Sequence, residues 1–130
     1  MRLARSRPRR GRRLPPGRFA RIVREALADL PPAFARRLDN VAVLIAERPS
    51  PDKLRELGIG PGETLFGLYE GTPLGERGTS YHLALPDRIT IYREPILESC
   101  LSTREMKQEI QLTVIHELGH HFGLSDDELP

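Results

Sequence analysis

The chain has 130 residues, of which 29% are charged and 5% aromatic, with a formal net charge of +2 and a single cysteine, Cys100. These values describe one small folded domain, exclude an internal disulfide framework, and fit a cytoplasmic chain whose lone thiol stays reduced. The longest apolar run, VAVLIA at Val41–Ala46, falls far short of the roughly 20 residues that span a bilayer, so no membrane segment is expected.

The positive balance belongs to one end. Between Met1 and Arg18 there are eight arginines and no acid, which leaves 12 Lys and Arg against 18 Asp and Glu in the other 112 residues. A segment so poor in apolar side chains cannot bury enough surface to order itself, and residues 1–18 are expected to be a disordered tail ahead of a domain at 19–130. No apolar stretch follows the arginines, so the tail is not read as a secretory signal. It suits either an electrostatic arm for nucleic acid, anionic lipid or an acidic partner, or a plain solubilising extension; without interleaved aromatics the second reading is the simpler.

From Gly17, the residues Phe19, Ile22, Val23, Ala26, Leu27 and Leu30 recur at helical spacing until Pro31-Pro32 stops them. PAFARRLDN adds one or two further helical turns. VAVLIAERP is rich in β-branched residues and reads as a strand. Ser50-Pro51-Asp52 then opens a short helical turn through Leu57, with serine as cap and proline in the first helical position. GIGPGE is a loop, and Thr64–Gly71 (TLFGLYEG) reads as a second strand. Proline and glycine in TPLGERGTS imply a hairpin or open loop, and YHLAL is a weak candidate for brief pairing. In DRITIYREP, Ile89 and Ile91 alternate with Thr90 and Tyr92, which predicts a strand ending near Pro95.

The last element is the best marked. Ser102-Thr103-Arg104-Glu105 is a capping box, and Met106, Ile110, Val114, Leu118 and Phe122 follow four apart, with Ile115 widening the stripe. Gly123 suits the left-handed residue that ends a helix. At the end of this helix, and running past Gly123, is HELGHHFGLSDD, residues His116–Asp127. His116 and His120 fall one turn apart on one side of the stripe, so both imidazoles can reach one ion. Glu117 projects from a neighbouring direction, poorly aimed as a ligand but close to a water on that ion. This is the logic of a zinc hydrolase, in which the metal acidifies water and a carboxylate removes its proton.

A catalytic zinc needs a third protein ligand. Only ten residues follow His120, which closes the route through a distant downstream helix. Gly123 turns the chain, and Asp126 is placed to return beneath the imidazoles; Asp127, Glu128 and the upstream His82 are the alternatives. His121 points about 100° from His120 and reads as a packed or solvated neighbour. Cys100 reads as a small buried residue.

HELGHHFGLSD resembles the extended zincin pattern HExxHxxGxxD, and REALADLPPAFARRLDNVAVLIAERPS, TLFGLYEGTPL and DRITIYREPIL precede it in the order found in the small bacterial minimal-zincin, metallopeptidase-like family. The resemblance covers about Phe19 to Pro130. It implies zinc at His116, His120 and Asp126, with Glu117 as general base and acid. It also implies a compact α+β domain in which a small mixed sheet packs against an N-terminal helix and a C-terminal active-site helix. The sequence departs from the metzincins in having no methionine after the motif, so the floor of the site must be built otherwise. In the zincin arrangement the DRITIYR strand, with Tyr92 and Arg93, can be an exposed edge that aligns a peptide, the alternative being a tyrosine packed on the sheet and an arginine in water; Tyr81 and His82 can stabilise an oxyanion if their loop closes. The leading expectation is a zinc-dependent peptidase acting on a peptide or protein substrate. The competing ones are a non-catalytic module tied by zinc and an adaptor working through its basic arm.

Overall fold

The computed structural model describes residues 2–5, 14–71 and 86–123. Along these, the elements are β1 (Leu3–Arg5), α1 (Pro16–Ala28), α2 (Pro32–Arg37) with a 3-10 turn at Leu38–Asn40, β2 (Val41–Ala46), α3 (Pro51–Glu56), β3 (Glu63–Leu65), β4 (Gly67–Glu70), β5 (Asp87–Tyr92), α4 (Arg93–Ser99) and α5 (Thr103–His121). No helix among the described residues is long and apolar enough to cross a membrane.

The architecture is α+β, as expected. Among the described residues, strand β5 is the middle of a mixed three-stranded sheet, parallel to β2 and antiparallel to β4. Its two faces meet different layers. Ile89 and Ile91 join the main core with Phe19, Ile22 and Val23 of α1 and Ile110, Val114 and Leu118 of α5. Tyr92, on the opposite face, belongs to a smaller cluster with Leu65 and Leu68, covered by Leu54, Leu57 and Ile59. The alternation in DRITIY therefore marks two buried faces rather than one buried and one wet, because Thr90 and Tyr92 also lie within the protein.

Helices α1 and α5 lie against each other along the core. Gln111 Nε2 donates to the Ala26 carbonyl at 3.0 Å, and Lys107 pairs with Glu25. Over the sheet, α5 comes so close to β4 that a Cβ on Gly67 would sit 2.7 Å from Thr113 Cγ2 and 2.9 Å from the Thr90 carbonyl oxygen. Both distances are far inside van der Waals contact, so glycine here permits the approach of helix to strand.

Three sequence expectations are corrected. Residues 1–18 are not wholly a disordered tail: Leu3–Arg5 pair antiparallel with Glu63–Leu65, Ala4 enters the core, and α1 already begins at Pro16. Composition discounted this segment, but three residues suffice to pair, and Arg2 gains a two-pronged bond to Glu109 on α5, 2.7 Å from Nε and 2.9 Å from the terminal nitrogen. Next, Thr64–Gly71 is not one uniform strand. It changes partner at Phe66, whose N–H donates to the Arg2 carbonyl while its own carbonyl accepts from Tyr92 N–H. Finally, Pro95 does not simply end β5; it sits in the first turn of α4, where proline lacks only an N–H that the helix would not use. The TPLGERGTS and YHLAL segments lie outside the described residues.

Candidate metal centre and active site

The site is built on the last two turns of α5. Ser102 Oγ accepts from Glu105 N–H at 3.1 Å and starts the helix; Glu105 returns a carboxylate oxygen to the Leu101 N–H, one residue earlier than a capping box requires. The stripe Met106, Ile110, Val114, Ile115 and Leu118 is buried, which fixes the rotation of the helix about its axis. That rotation leaves His116 half-buried and His120 exposed, while Glu117 is only 5% exposed and faces the sheet. Gly123, at φ 81°, ends the helix in the left-handed conformation expected of it.

The His116 and His120 rings stand 6.0 Å apart, centroid to centroid, and nearly perpendicular at 85°. That spacing suits one cation lying about 2 Å from a nitrogen of each ring. Glu117 Oε1 accepts from the Tyr69 backbone N–H at 2.9 Å. The origin of that bond is legible in the ladder. Because the Phe66 carbonyl is bonded to β5, the even residues of β4 face β5 and the odd ones face outward. Tyr69 N–H therefore lies on the outer edge of the sheet, and Glu117 reaches it from the helix.

The Tyr69 side chain meets the end of α5 as well. Its ring stacks on His121 at 4.0 Å and 24°, and its hydroxyl donates to Asp87 Oδ2 at 2.7 Å. His121 Nε2 is 3.7 Å from the same oxygen. The Phe122 and His121 rings stand nearly perpendicular, at 84°, and the Arg37 guanidinium lies 5.1 Å from the Phe122 ring centre. His121 is thus a packed neighbour, as the helical angle implied. Tyr69 and Asp87 escaped the sequence reading because no local spacing links them to the HELGH segment.

Asp126, Asp127, Glu128, His82 and Tyr81 lie outside the described residues. Among the described residues, no group of three or more His, Cys, Asp or Glu side chains gathers to hold a metal. The two imidazoles are a pair of borderline-soft donors suited to zinc, and one further carboxylate would complete the usual protein set of three.

Two expectations near the site are overturned. Strand β5 is central, not an exposed edge, so it cannot align a peptide through its backbone; the outer antiparallel strand beside Glu117 is β4. Tyr92 is buried on the far face of the sheet, and burial pushes its hydroxyl pKa up. Arg93 starts α4 and forms a two-pronged pair with Glu47, whose carboxyl it holds below the ordinary range, while donating to the Leu14 carbonyl at 2.7 Å. Both residues are structural. Cys100 is buried, as read.

A family model described as zincin-like metallopeptidase matches residues 38–130. Among solved structures, the chain is similar to a conserved hypothetical protein from Thermus thermophilus, at 23% identity and a TM-score of 0.50, over 82% of this chain and 92% of that one. That likeness concerns the fold alone. None of the curated proteins matches the chain.

Proposed function

The chain belongs to the zincin-like metallopeptidase family, and on that premise we propose that it is a zinc-dependent peptidase, with His116, His120 and Asp126 holding the metal and Glu117 moving the protons. The observation that carries the reading is the placement of Glu117: nearly buried, on the same helix as two imidazoles 6.0 Å apart, and oriented by the Tyr69 N–H. A carboxylate so buried is costly unless it is bonded, and its position next to a metal-suited histidine pair gives the cost a use.

The chemistry supplied by a zinc held there is Lewis acidity, which polarises a peptide carbonyl and acidifies a neighbouring water. Glu117 takes a proton from the attacking water and hands it to the nitrogen of the departing amine, so that water and one peptide bond become a carboxyl and an amino group. The hydrogen bond from Tyr69 holds Glu117 Oε1 to one direction. A substrate in extended form would lie alongside β4, the strand from which Tyr69 meets Glu117.

The experiment is Glu117→Gln, assayed for zinc content, thermal stability and hydrolysis of a mixed library of flexible peptides. The reading expects zinc and stability retained and hydrolysis abolished. If Glu117→Gln cleaves as wild type does, and His116→Ala unfolds the domain, zinc serves only to tie the helix end and the peptidase reading is wrong.

A further inference from the structure

The metal-suited histidines sit where a helix is weakest. His120 is exposed, and the last turn of α5 is closed by backbone bonds from Phe122 N–H to the Leu118 carbonyl at 3.0 Å and from Gly123 N–H to the His120 carbonyl at 3.1 Å. Helix ends of this kind open at little cost. A ligand carried on such a turn must be ordered when the metal binds, and that lost freedom weakens affinity.

One residue of the sheet opposes this. Through its main chain, Tyr69 holds Glu117; through its ring, it stacks on His121, the residue that follows His120. Asp87 fixes the ring in turn by accepting the Tyr69 hydroxyl at 2.7 Å. The 3.7 Å between His121 Nε2 and Asp87 Oδ2 is too long for a hydrogen bond, so the stacked ring face makes the close contact. We propose that Tyr69, His121 and Asp87 form a clamp in which Tyr69 and His121 are positioning residues, registering both His120 and Glu117 against β4. This rests on the reading of His116 and His120 as metal ligands. The clamp lies at the surface, with the His121 side chain 39% exposed, so its loss should cost the whole fold little while loosening the last helical turn.

The test compares wild type, His121→Ala and His121→Phe in two ways: zinc affinity by competition with a chromophoric chelator, and amide hydrogen exchange at Phe122 and Gly123 in zinc-free protein. His121→Ala should bind zinc about ten-fold or more weakly, in the range lost when groups supporting metal ligands are removed, and its two amides should exchange faster. His121→Phe, which keeps a ring to stack, should restore both. Unchanged affinity and exchange in His121→Ala, or failure of His121→Phe to restore them, would overturn the clamp. If wild type itself binds no zinc, the metal-site reading fails, and the exchange measurements alone still decide whether the ring holds the turn.

Discussion

The Tyr69 main-chain N–H donates to Glu117 Oε1 at 2.9 Å, tying the outer strand of the sheet to a carboxylate that is 5% exposed. In Glu117→Gln the side-chain carbonyl can still accept, so stability should stay within about 1 kcal/mol of wild type. Glu117→Ala removes the acceptor of the half-buried Tyr69 N–H and should cost about 1 kcal/mol or more. Urea melts of the two variants check the difference; equal losses would mean that the bond does not matter.

Gly67 should tolerate no side chain. Alanine there places a Cβ against Thr113 Cγ2 and the Thr90 carbonyl, and a cost of about 1–3 kcal/mol is expected from such overpacking. Adding Thr113→Ser removes the clashing methyl but not the carbonyl contact, so the double variant should recover only part of the loss. Full recovery would show that the strand, not the side chain, had yielded.

The first residues should matter to the helix that carries the site. Arg2 is bonded twice to Glu109, and Thr113 Oγ1 donates to the same carboxylate at 3.1 Å. Arg2→Ala should cost about 1–3 kcal/mol, since the pair is partly buried and charge-assisted. Lysine cannot make the two-pronged bond and should not restore it. Chemical denaturation of Arg2→Ala and Arg2→Lys measures this; full stability in either would return the segment to an inert extension.

Stability should fall at both extremes of pH. Lys107 holds the Glu25 carboxyl, and Arg93 the Glu47 carboxyl, below the ordinary value of 4.5, so what these pairs contribute is present above that value and is lost as pH falls through the lowered ones. Glu70 raises Lys53 above 10.5, so its contribution is present below 10.5 and is lost as pH rises through the raised value. Burial raises Tyr92 above 10.0, which destabilises the fold once the unfolded chain begins to ionise there. Melting temperatures across the pH range check the shape, and Tyr92→Phe should soften only the alkaline side.

The sequence was most legible where a signal is local. Ser50-Pro51 and Ser102-x-x-Glu105 marked the starts of α3 and α5, and Gly123 marked an end, because caps and left-handed residues act within a few positions. The stripe from Met106 to Leu118 fixed which side of α5 faces the core, although Phe122, expected to continue it, is exposed past the helix end. What remained hidden depends on residues far apart. Leu3–Arg5 became a strand because Glu63–Leu65 offered a free edge, Phe66 marks a change of partner that no periodicity records, and DRITIY alternates between two buried layers. The junction of Tyr69, Asp87 and His121 draws on β4, β5 and α5, so no spacing along the chain announces it.

The central claim is that His116, His120 and Asp126 hold one zinc beside Glu117. Its most direct test is zinc titration of the purified chain and of His116→Ala, His120→Ala, Asp126→Ala and Asp127→Ala, with the bound metal located by anomalous diffraction. One zinc per wild-type chain is expected, between the two imidazoles and the Asp126 carboxylate, with binding severely weakened in the first three variants and kept in Asp127→Ala. Full zinc affinity in either histidine variant, or a zinc bound away from both imidazoles, would contradict it.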